Sequence, residues 1–137
     1  MPKRLLFACT QNAVRSVIAE ALFTRLACAP DYQVTSCGVI EGAADGYAIT
    51  VMQEKGVDIT THESKSFDAL SPANFDRIIS FSTEAHDWAE NWAQKGCKIE
   101  LWRLPPPKID KYDRSVTLKS YRDLRNEISH KLLLEFC

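Results

Sequence analysis

The chain has 137 residues, of which 45% are hydrophobic, and its formal net charge is -1. That supports one hydrophobic core and a single domain over residues 1–137. It excludes a global basic field for nucleic acid, and no apolar run is long enough to span a bilayer. The N-terminus starts basic, at Lys3-Arg4, but the apolar stretch behind it is only Leu5 to Ala8. That is too short for a secretory signal, so the expected location is cytoplasmic. Five cysteines form an odd set with no C-x-x-C pair. Neither a disulfide framework nor a zinc site is expected. Cys28, Cys37 and Cys97 read as small buried or half-buried apolar residues in a reducing compartment.

Leu5-Leu6-Phe7-Ala8 is a continuous apolar run, the pattern of a strand buried on both faces. Val14, Ile18, Ala21, Leu22 and Leu26 then recur at helical spacing, and the helix should end near Cys28 or Ala29, before Pro30. Tyr32 to Cys37 reads as a second strand, closed by Gly38. Residues 41–46 are a loop. A helix follows from Gly46 to about Lys55, with Gly56 in the stop position. Val57 to Ser66 is polar and irregular, and a short helix near Phe67–Asn74 is interrupted by Pro72. Arg77 to Ser82 is a third strand. Ser82 or Thr83 caps a helix carrying Ala85, Trp88, Ala89 and Trp92 on one side, ended by Gly96. Lys98 to Trp102 is a fourth strand. Pro105-Pro106-Pro107 forces an extended loop. A last helix runs from about Asp113 to the C-terminus, with Leu118, Tyr121, Leu124, Ile128 and Leu132 as its stripe. Alternating strands and helices predict an α/β fold, a four-stranded parallel sheet with helices on both faces. Ligands in such sheets bind at the carboxyl ends of strands.

The segment Cys9-Thr10-Gln11-Asn12-Ala13-Val14-Arg15-Ser16 lies at one such end. A short loop entering a helix turns its amides inward and forms a nest for an oxyanion. The helix N-terminus adds positive potential at the same point, which favours a thiolate at Cys9. Arg15 offers a planar fork to two phosphate oxygens. Ser16 can hydrogen-bond the thiolate, and Asn12 tolerates a left-handed backbone. C-x5-R alone recurs by chance. The strand before it and the helix after it raise it to a phosphate-binding loop, with Thr10, Gln11, Asn12, Ala13, Val14 and Arg15 around the anion.

On these residues the chain resembles the low-molecular-weight protein-tyrosine-phosphatase family, which also contains thioredoxin-linked arsenate reductases. The family's loop is C-x-G-N-x-C-R-S after the first strand. Further matches are Thr35-Ser36, Gly56-Val57-Asp58-Ile59 with His62, and Phe75-Asp76-Arg77-Ile78-Ile79. The resemblance implies a single-domain, three-layer, Rossmann-like phosphatase fold. It implies Cys9 as the nucleophile of a phospho-cysteine intermediate, Arg15 as phosphate clamp and Ser16 as thiolate partner. Asn12, Ser36 and His62 would form a supporting network. No metal or other cofactor is implied.

Four positions depart from the family. Gln11 replaces a glycine and would be strained at positive φ. Val14 replaces a second loop cysteine, so no protective disulfide can form there. Val17 replaces a proline. Pro106 occupies the place of the general-acid aspartate, and proline cannot donate a proton. Asp110 is the substitute acid to consider, whereas Asp113 reads as a helix cap. Without such an acid the rate falls about 10²–10⁴-fold, although good leaving groups can still depart. The expected function is cysteine-dependent hydrolysis of phosphotyrosine or a small aryl phosphate, with weakened acid assistance. Phosphorylated protein or aryl phosphate would be the partner, and phosphate or sulfate would bind the loop. Two alternatives remain: an arsenate reductase, though Ser82 stands where its relay cysteine belongs, or a binding module for oxyanions or phosphorylated partners. Tyr47 is a candidate for the substrate rim.

Overall fold

The computed structural model describes residues 3–26 and 28–137. Its order is β1 (Lys3–Cys9), α1 (Arg15–Arg25), β2 (Tyr32–Gly38), α2 (Gly46–Gln53), β3 (Arg77–Ser80), α3 (Thr83–Trp92), β4 (Lys98–Leu101) and α4 (Arg114–Phe136). The four strands pair in the order β2-β1-β3-β4, all parallel. Strand order reverses at β1, so the crevice at its carboxyl end is a topological switch point. The loop after Cys9 opens there.

Side chains alternate across β1 and divide the core in two. Leu5, Phe7 and Cys9 face Ile18 and Phe23 of α1, Val51 and Met52 of α2, and Tyr121, Leu124 and Ile128 of α4. Leu6 and Ala8 face the other way, with Cys37, Phe67, Phe75, Ala85 and Ala89. This is the expected three-layer arrangement. Among the described residues, no helix is long and apolar enough to cross a membrane.

Charged ties sit at the margins of this core. Arg77 is 8% exposed and is gripped by Glu100 and Glu135. Arg125, 5% exposed, donates to the Val51 carbonyl at 2.7 Å and to Glu54 at 2.9 Å. These bonds fasten α4 to β3, β4 and α2.

Several elements are shorter than periodicity implies. Helix α1 stops at Arg25, because Leu26 turns to extended backbone at φ -79°, ψ 128°. Helix α2 stops at Gln53, two residues early, and Gly56 at φ 72° reverses the chain. Strands β3 and β4 lose their last residues, and Ser82 becomes the α3 cap by accepting from Ala85 N at 3.2 Å. The expected helix near Phe67–Asn74 is two 3-10 turns, Phe67–Ala69 and Pro72–Asn74, parted at the proline.

The reading of Cys28 is corrected. It is exposed and bonded to Cys137, with Cα atoms 5.3 Å apart. Helix α4 lies along the same layer as α1, where Phe136 packs edge-on against Phe23 at 4.9 Å. That packing returns the last residue to the end of α1, 109 residues away in sequence. Spacing between cysteines carries no trace of such an encounter.

Candidate active site

Cys9 ends β1 on the α1 face, and its Sγ lies 2.9 Å from Ser16 Oγ in the first turn of α1. The sulfur is almost wholly covered, yet it forms part of the floor of a cavity of about 400 Å³. Thr10, Gln11, Ala13, Val14 and Arg15 line that cavity with it. Among the described residues, the amides from Thr10 to Arg15 donate to no protein acceptor. Helix α1 has no side-chain cap at Val14 either. The loop therefore presents unpaired N–H groups beside a thiol at a helix N-terminus, the elements of an anion cradle.

The Arg15 side chain is aimed by two carbonyls. Its Nη1 donates to Leu104 O at 2.9 Å and to Phe81 O at 3.5 Å. The remaining guanidinium N–H groups have no partner among the described residues and can serve an anion in the cavity that Arg15 lines.

Asn12 stands behind the loop. It has positive φ, 51°, and no other non-glycine residue among those described does. It is fully buried, and both polar atoms of its side chain are used. Its Nδ2 donates to Ser16 Oγ and Ser36 Oγ, each at 2.9 Å. Its Oδ1 accepts from His62 Nε2 at 2.9 Å and from Lys65 N at 3.0 Å. Burial pushes the His62 imidazole below its ordinary value. Gln11 has no positive φ, so glycine is not needed there. The close approaches fall to Gly38 and Gly42 instead. A Cβ on Gly38 would meet Asn12 N at 2.6 Å, and one on Gly42 would meet Gln11 O at 2.8 Å.

The structure thus brings Cys9, Arg15, Ser16, Asn12, Ser36 and His62 together, and it leaves two candidates outside. The Asp110 carboxylate folds back on its own loop, accepting from Tyr112 N at 2.9 Å and Asp113 N at 3.1 Å, and it does not line the cavity. Tyr47 packs on Tyr121, centroids 5.3 Å apart, rather than on the rim. Pro106 lines the cavity with Pro107 and Ile109. The carboxylate that lines it is Asp45, which caps α2 and accepts from the Tyr121 hydroxyl at 2.8 Å. Sequence reading missed Asp45. Its cap position ahead of α2 was the available signal, but a cap is ordinarily only a cap. It also missed the strap at residues 62–65. There Ser64 Oγ donates to Gln11 O at 3.2 Å and Lys65 Nζ to Ser36 O at 3.3 Å.

The model of the family described as low molecular weight phosphotyrosine protein phosphatase matches residues 4–117. The chain belongs to that family. It is 26% identical over 130 residues to the glutaredoxin arsenate reductase of Synechocystis sp., covering 95% of this chain and 93% of that one. An arsenate reductase solved in its phosphate-binding state superposes with a TM-score of 0.73 at 25% identity, over 98% of this chain and 99% of the other. The low molecular weight protein tyrosine phosphatase from T. tengcongensis gives a TM-score of 0.71 at 25% identity, over 97% and 98%. Both chemistries of the family are thus present among the relatives.

Among the described residues, no other free thiol packs on the Cys9 face of the sheet. Cys37 is on the opposite sheet face, paired in register with Ala8, and burial pushes its thiol well up, with Cys9 adding to the effect. Cys97 precedes β4, at the amino end of the sheet. Cys28 and Cys137 are bonded to each other.

Proposed function

We propose that the protein hydrolyses phosphate monoesters with good leaving groups, aryl phosphates or phosphotyrosine, through a phospho-cysteine intermediate at Cys9. The observation that carries this reading is the pairing of Cys9 Sγ with Ser16 Oγ at 2.9 Å, beneath a cavity lined by Arg15 and the loop. The Cys9 thiolate attacks phosphorus and the P–O bond to the leaving group breaks. Arg15 and the loop amides hold the equatorial oxygens. Water then attacks phosphorus, the P–S bond breaks, and inorganic phosphate departs as the thiolate returns to accept from Ser16. Pro106 offers no proton in the first step, so the leaving group departs as an anion protonated by solvent. This favours phenols over alkanols.

Purified protein is assayed with para-nitrophenyl phosphate, then as Cys9→Ser. Turnover by the native protein that is lost in the variant supports the reading. Turnover that survives the substitution overturns it. Phosphate binding without any turnover would return the protein to an oxyanion-binding role.

Arsenate reduction is the second reading, favoured by the relatives. Here the Cys9 thiolate displaces hydroxide from arsenate to form a Cys9–arsenic adduct. Two thiol equivalents are then oxidised to a disulfide as arsenic goes from the pentavalent to the trivalent state. No second free cysteine stands on the Cys9 side of the site among the described residues, so the other thiol must come from an external thiol reductant. Mass spectrometry after arsenate and glutathione treatment tests it. A mixed disulfide on Cys9 supports this reading, and its absence removes it.

A further inference from the structure

Among the described residues, two charged side chains line the catalytic cavity, Arg15 and Asp45. A phosphate on the loop occupies Arg15. Asp45 is then the one charged side chain lining the space into which a leaving group must project. Pro106, Pro107 and Ile109 also line it, and they present hydrocarbon and, at the prolines, no backbone N–H. Discrimination by charge in that space therefore falls to Asp45, with Thr10, Gln11 and Tyr121 as its neutral polar neighbours.

Asp45 is well fixed. Its Oδ1 accepts from Ala48 N at 3.0 Å, and its Oδ2 from the Tyr121 hydroxyl at 2.8 Å. The anchors come from α2 and α4, so neither element can turn the carboxylate alone. Tyr121 is 1% exposed and backed by Tyr47. Burial, then Asp45 itself, push the Tyr121 phenol above its ordinary value, which keeps the hydroxyl a donor. A carboxylate held on both oxygens cannot swing away from an unwelcome ligand. In a partly enclosed cavity its field is also screened less than at an open surface.

We infer that Asp45 is a specificity-determining residue, selecting leaving groups that carry a cation or hydrogen-bond donor beyond the phosphate and rejecting acidic ones. The inference rests on the reading of the Cys9–Arg15 loop as the site of a phosphate monoester. It assigns the substrate class of that site: a flat or apolar body that fits against the proline wall, with a basic group near Asp45.

The test compares para-(aminomethyl)phenyl phosphate with para-(carboxymethyl)phenyl phosphate in the native protein and in Asp45→Asn. Asparagine keeps the cap acceptor for Ala48 N, and an unchanged thermal midpoint verifies the fold. The native protein is expected to favour the ammonium substrate in kcat/KM by roughly tenfold or more, and the preference should shrink to within about twofold in the variant. Dissociation constants of the matching para-substituted benzylphosphonates, measured by calorimetry, give the same comparison without turnover. Charge preference in binding with no turnover would sink the hydrolase reading and leave this inference standing. Turnover with no charge preference, or a preference unchanged in Asp45→Asn, would overturn the inference and leave the hydrolase reading. Failure of both phosphonates to bind would overturn both.

Discussion

Asn12 Oδ1 and His62 Nε2 are 2.9 Å apart, although fifty positions separate the residues. The bond ties the phosphate loop to a strap on the far side of β2, and the same oxygen also receives Lys65 N. Asn12→Ala removes four hydrogen bonds at once and strands buried partners. Each buried group left unpaired costs about 1–3 kcal/mol, so a total loss of about 3 kcal/mol is expected, with partial recovery through local relaxation. Urea unfolding measures it. A loss under about 0.5 kcal/mol would mean that the loop is not held this way.

His62 adds a pH dependence to that support. Burial holds its folded value below the ordinary 6.5, so the unfolded chain takes up the proton first. Stability from the neutral ring is intact above pH 6.5 and is lost progressively as pH falls from there toward the lower folded value. Unfolding free energies at about pH 7.5 and about pH 5.5 should differ more in the native protein than in His62→Gln, which keeps a donor but does not titrate. Equal differences would remove His62 from the account.

Arg15→Lys tests the guanidinium fork. Lysine can reach an anion or the carbonyls of Phe81 and Leu104, but it cannot be aimed by those carbonyls and grip two oxygens together. We expect kcat/KM for para-nitrophenyl phosphate to fall about 10²–10³-fold, with the thermal midpoint little changed. A drop of less than about threefold would show that Arg15 does not clamp the transferred group.

Pro106→Asp returns a carboxyl to a cavity wall that lacks one. The gain should appear with poor leaving groups: phenyl phosphate turnover should rise by about tenfold or more, and para-nitrophenyl phosphate turnover far less. An alkaline limb should appear in the rate profile as the new acid ionises. Equal gains on both substrates would point to altered packing rather than proton donation.

Much of this architecture was legible in local pattern. The run Leu5 to Ala8 reads as a buried central strand because both of its faces are covered, and the stripe from Leu118 to Leu132 reads as one helix. The loop from Cys9 to Ser16 was legible because its chemistry is contiguous. The Asp45–Tyr121 pair was not. Each residue has an adequate local explanation, a cap and a core aromatic, and their meeting depends on how α4 docks across α2. The strap at residues 62–65 was hidden for a related reason. It contributes backbone and short polar side chains from a segment with no periodicity, and only its contact with Gln11, Asn12 and Ser36 gives it a role. Asp110 lies outside the cavity because its carboxylate satisfies two amides of its own turn, a local competition that distance along the chain does not reveal.

The claim on which the rest depends is that phosphorus becomes bonded to the sulfur of Cys9. Acid-quenching the protein during turnover of para-nitrophenyl phosphate and mass-analysing its peptides tests this directly. The account predicts one added phosphoryl group on the peptide bearing Cys9, absent from Cys9→Ser. A phosphoryl group on another residue, or full turnover by Cys9→Ser, would contradict it.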